Sequence, residues 1–168
     1  PMSMDIPSGA TLTVVAGKFI AGVTVEGDLV VAGNGIVFDV LTVTGTVSIE
    51  EDVIAATAKA LYVGVSADDL AMAGAGAVTG VKLADTGSVA YVSPNATVGE
   101  DITENAKLTE YYVDEALYLT AYALEGNDVK IDIPFAVENA FFDAWQYEDE
   151  DGKIKDVSGT DMIGSIDE

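Results

Sequence analysis

The chain has 168 residues, 49% of them hydrophobic, with 29 Asp and Glu against seven Lys and a formal net charge of −22. That length gives one domain with a sizeable core or two small modules, and excludes a large multidomain enzyme. So negative a chain repels nucleic acid and anionic lipid, whose recognition needs Lys and Arg against phosphate, and both are excluded as partners.

Cysteine and histidine are both absent. Thiol nucleophiles, the usual zinc and haem sites and the commonest general base near neutral pH are lost with them. No apolar run reaches the roughly 18 residues of a membrane-spanning helix, so membrane insertion is not expected and the apolar content belongs in a core or at subunit contacts. The opening Pro1-Met-Ser-Met-Asp5 is not a signal peptide and reads as a start left by processing or expression. Dense assembly of such a chain requires salt or divalent cations to screen its charge.

From Thr11 to Ile49 short β-branched runs alternate with glycine: Thr11–Val15, Val23–Val25, Leu29–Val31, Ile36–Phe38, Leu41–Val43 and Val47–Ile49, separated by Gly17, Gly22, Gly27, Gly33, Gly35 and Gly45. Such runs are strands. They recur about every six residues, closer than the roughly 8–12 of a sandwich or barrel, which points to a β-solenoid with small residues at its corners. No strict repeat length is evident, so a hairpin-rich β-sandwich stays open beside it. Alanine-rich composition over 53–60 and 66–73, with Ser66-Ala-Asp-Asp69 as an N-cap signal, predicts one or two short helical turns. Strands resume at Leu61–Val63, Val78–Leu83 and Val89–Val92. Ser93-Pro-Asn-Ala-Thr97 is a turn, and the polar stretch Gly99–Asn105 a boundary. A glycine- and valine-rich β domain over 1–105 and a second β module over 106–168 follow.

In the second module, Leu117–Leu124 alternates with period two and favours a strand. Gly126-Asn-Asp128 is a turn, and Val129–Ile133 an alternating strand closed by Pro134. Phe141–Tyr147, Glu148–Gly152 and Lys153–Val157 read as strand, turn and strand.

Leu119-Thr-Ala-Tyr-Ala123, Pro134, Phe142-Asp-Ala-Trp145, Asp149, Gly152 and Val157 together resemble the internalin-type B-repeat, also called the Listeria–Bacteroides repeat. The resemblance covers roughly the last 55 residues and implies a small β-grasp-like module of a secreted or cell-surface protein, acting as a spacer or contact unit. Ala144 stands where the family prefers glycine, and the chain stops at Glu168, where a closing strand would start. In overall profile, acidic, glycine- and valine-rich and cysteine-free, the chain also resembles archaeal surface-layer proteins and the sheath proteins of methanogens.

Few residues invite chemistry. Glu148-Asp-Glu-Asp-Gly152 suggests a calcium loop, but Tyr147 occupies the first EF-hand ligand place and Ser158 the twelfth, so only loose divalent-cation binding through Asp149 and Asp151 remains. Asn95-Ala-Thr97 is a glycosylation sequon in a predicted turn. Gly74-Ala-Gly76 lacks the lysine of a phosphate loop. Paired carboxylates for glycoside hydrolysis are available in any chain this acidic and identify nothing. Trp145 with Phe141, Phe142 and Tyr147 is either a ligand platform or the anchor of a small core, the latter being the commoner arrangement.

The expectation is an all-β, non-catalytic extracellular structural protein of the cell envelope, without a cofactor unless calcium binds loosely. Its partner is itself, with other envelope proteins or glycans as further candidates. An adhesin or carbohydrate-binding fragment is the alternative reading, and a polysaccharide-acting enzyme a remote one.

Overall fold

A computed structural model describes residues 3–68, 70–71, 73–84, 88–104, 106–113, 116–124, 128–129, 145–148, 150–157 and 164–165. The chain is almost all β and winds into a β-solenoid of about 5 turns. The solenoid, not the sandwich, is the architecture of the N-terminal unit.

One wall contains β1 (Met4–Ile6), β3 (Lys18–Val25), β5 (Val37–Val43), β7 (Ala56–Val63) and β10 (Val89–Val92), each parallel to the next. The facing wall stacks β2 (Thr11–Val14), β4 (Asp28–Val31), β6 (Thr46–Ile49), β8 (Ala77–Val78) and β11 (Thr97–Val98), again in parallel. The short β9 (Val81–Leu83) pairs with the first half of β7, whereas β10 pairs with the second half. The long strands bend between those halves. Phe38 and Leu41 are both buried, and the ladder to β7 passes from Phe38 to Val40 without engaging Asp39.

Stacking one coil on the next places like residues in columns. Ile6, Val25, Val43, Val63 and Val92 form one inward column, and Leu12, Leu29, Val47, Val78 and Val98 another on the facing wall. Each strand supplies too few residues for a core of its own, so burial comes from neighbouring coils. Phe19 stacks on Phe38 at 5.1 Å between ring centroids, and Phe38 in turn lies in register with Ala58.

The corner between the walls is also laddered. The Ile6 carbonyl accepts from Glu26 N–H at 2.8 Å and Gly27 N–H at 3.0 Å, and the Val25 carbonyl accepts from Thr44 and Gly45 N–H at 2.9 Å each. Backbones approach so closely here that a Cβ on Gly27 would meet the Ala10 and Pro7 carbonyls, and one on Gly45 those of Gly27 and Glu26. Glycine is required by contact, since neither position has a left-handed φ.

Two local expectations are corrected. The helical turn predicted over 53–60 gives way to β7 from Ala56 on: Ala58 fills an inward position opposite Phe38, which leaves room for only a small side chain, and Ala56 is buried beside Val81 of β9. At 66–73 the described residues form a turn: Ser66 N–H donates to the Ala71 carbonyl at 2.8 Å and Leu70 takes φ 57°. Ser66 Oγ does accept from Asp68 N–H at 3.2 Å and the Ser66 carbonyl from Leu70 N–H at 3.0 Å, but among the described residues no helix continues from this single turn. Among the described residues the one short helix, α1 (Glu100–Thr103), lies instead in the stretch read as a boundary, and its Ile102 is buried against the end of the core.

Beyond α1, β12 (Ala106–Val113) and β13 (Ala116–Leu124) form an antiparallel pair, and β13 adds antiparallel to β10. The sheet therefore runs continuously across residue 105. Farther on, β14 (Asp128–Val129) pairs with β17 (Gly164–Ser165), and β15 (Trp145–Glu148) pairs antiparallel with β16 (Ile154–Val157) around the turn containing Gly152.

Candidate assembly surfaces

The two ends of the solenoid differ. At the N-terminal end, β1 and β2 are the outermost strands of their sheets and each has one unpaired edge among the described residues. Residues 3–17, which make this first coil, carry a single charged side chain, Asp5. In a chain of net charge −22 such a sparsely charged coil stands out.

At the other end the larger sheet outruns the smaller one by β13 and β12. The inner face of β12–β13 carries Ala106, Tyr122 and Leu124, all packed against the main core. Leu108, opposite Tyr122 on the same face, remains 54% exposed. Beside it the Tyr112 hydroxyl donates to Glu110 Oε2 at 3.3 Å. α1 covers the core with Ile102 while its Glu100 and Asp101 stay exposed, making this the more acidic end.

The outer face of the larger sheet bears a second apolar cluster of Val65, Tyr91, Tyr111, Leu119, Ala121 and Ala123. Tyr62 stacks on Tyr91 at 5.4 Å, and both belong with it. Burial, and secondarily neighbouring Tyr91, pushes the Tyr111 phenol above its ordinary range. Burial and then Asp68 raise Tyr62, and burial and then Glu110 raise Tyr122. A phenol raised in the fold stays neutral above pH 10 or so while the unfolded chain ionises, so folding stability is held below that pH and falls as pH rises beyond it. Tyr111→Phe is expected to make that alkaline decline shallower while changing stability at pH 7 by about 1 kcal/mol or less, as read from urea melts between pH 7 and 11.

Of the residues singled out in the sequence, Asn95 is exposed in the turn before β11, where its N–H donates to Ser93 Oγ at 3.2 Å. Asp151 lies exposed in the turn between β15 and β16. Asp149 lies outside the described residues, as do Phe141, Phe142 and the side chain of Trp145. Among the described residues no three acidic side chains converge as a metal site would need. Met4 and Leu108, which composition and motif give no reason to pick, stand at opposite ends of one inward column of the larger sheet. Comparison with known proteins finds no matching family model, no matching curated relative and no matching solved structure.

Proposed function

We propose that this chain is a non-catalytic structural protein that self-assembles in a cell envelope, as a sheath, surface layer or filament. The observation carrying this reading is a parallel β-solenoid whose outermost strands, among the described residues, offer unpaired backbone edges, β1 and β2 at one end and β12 at the other. Such edges template further pairing unless they are blocked. Other envelope proteins or glycans are secondary partners, and an extracellular site agrees with the B-repeat resemblance of the tail and with the exposed sequon at Asn95.

Charge sets the conditions. Copies of a −22 chain repel at low ionic strength, and salt or loosely held calcium relieves that repulsion. Sedimentation of the purified chain is expected to show monomer in dilute buffer and large species as salt rises toward about 1 M, where the screening length falls to about 3 Å. A monomer at every salt and calcium concentration would remove self-assembly and favour the adhesin reading.

A further inference from the structure

The ladder registers link the two ends of the molecule. Met4, Val23, Leu41, Leu61, Ala90, Tyr122 and Leu108 lie successively opposite one another across the larger sheet. Its interior members Val23, Leu41, Leu61 and Ala90 are buried, whereas its two terminal members, Met4 and Leu108, are 38% and 54% exposed. One apolar column is therefore open at both ends, and each end lacks what the other offers.

Strand direction allows the ends to join. β13 runs antiparallel to β10 and β12 antiparallel to β13, so β12 again runs parallel to β1. Backbone phase allows it too. Ile6 turns its carbonyl to β3, where Glu26 N–H donates to it, so Asp5, the alternate residue, aims its own N–H and carbonyl at the free edge. At the other end Ser93 N–H donates to the Val63 carbonyl, which directs the backbone groups of Ala90 and Val92 toward β13. Following the alternation through Ala121 and Thr109 leaves those of Leu108 and Glu110 facing the free edge of β12. With Asp5 opposite Thr109, Asp5 N–H meets the Leu108 carbonyl and Glu110 N–H meets the Asp5 carbonyl, which is the pairing a parallel ladder requires.

We propose that copies of this chain stack head to tail, β1 of one adding in parallel to the free edge of β12 of the next, so that Met4 closes on Leu108. This rests on the self-assembly reading and names its contact. Because the two surfaces differ, the contact is heterologous and propagates as an open filament. Glu110 falls in the Ile6 column, where a carboxylate resists burial, and acts as the brake on stacking. Glu110→Gln is expected to lower the concentration needed for assembly.

The chain has no native cysteine, so introduced thiols report a single contact. Met4→Cys and Leu108→Cys variants, mixed under assembling salt and oxidised, are expected to give covalent dimers, and the double variant a ladder of multimers; neither single variant alone is expected to cross-link. Leu108→Glu, at an exposed site, is expected to raise the concentration for assembly about tenfold with an unchanged far-UV spectrum, from the lost burial of one large side chain. Assembly without the 4–108 cross-link, or with Met4→Cys linking to itself, would overturn the head-to-tail contact and leave self-assembly standing. Absence of any assembly by the unaltered chain would overturn both.

Discussion

Gly45→Ala is expected to destabilise the solenoid by about 3 kcal/mol or more, because the added methyl has nowhere to go. Its Cβ would press on the Gly27 and Glu26 carbonyls, backbone atoms that are themselves held in the corner ladder. Thr46 N–H donates to the Gly27 carbonyl at 2.9 Å and Ala77 N–H to the Gly45 carbonyl at 3.0 Å, so relief at one coil displaces its neighbours. Gly22→Ala is the control. Nothing lies within 4 Å of the site its Cβ would take, and its φ is not left-handed, so its effect is expected to stay below about 1 kcal/mol. Urea melts of the two variants decide between contact and a general intolerance of side chains in this β unit.

Phe38→Ala is expected to cost about 3–5 kcal/mol, the range for removing a buried aromatic ring. Phe38 is fully buried, stacks on Phe19 and lies opposite Ala58, so neither neighbour can fill the space it leaves. Phe38→Leu keeps most of the volume and is expected to cost markedly less, about 1.5 kcal/mol. Pairing Phe38→Ala with Ala58→Leu is expected to recover part of the loss if the two positions share one packing layer. Additive losses in the double variant would show that they do not.

Much of the β architecture is legible in the sequence, and the reasons are local. Glycine-bounded β-branched runs from Thr11 to Ile49 become β2 to β6, and their close recurrence signals a coil instead of a hairpin. A repeat is present too: Val23-Thr-Val-Glu-Gly-Asp-Leu-Val-Val31 and Leu41-Thr-Val-Thr-Gly-Thr-Val-Ser-Ile49 match in pattern, and Val23 pairs with Leu41 one coil of 18 residues on. It is hidden because the coils differ in length. Gly64 to Gly76 intervenes between β7 and β8, where two residues suffice between β5 and β6.

Other features depend on contacts that no local signal carries. Alanine favours helix by propensity, yet at 58 its small volume beside Phe38 outweighs that preference. Ile102 sits in a polar stretch, and its burial follows only from where the last coil ends. Met4 and Leu108 stand far apart in sequence, and their relation exists only through five intervening strands. Of the loose cation ligands expected at Asp149 and Asp151, Asp151 lies exposed in its turn and Asp149 lies outside the described residues.

The most direct measurement is electron imaging of the unaltered purified chain at low and high salt, with about 10 mM calcium and with chelator, joined to diffraction from any aligned assemblies. Filaments are expected under screened conditions, with strands lying across the long axis and a repeat of about 4.8 Å along it. Isolated particles of monomer size under every condition would contradict self-assembly.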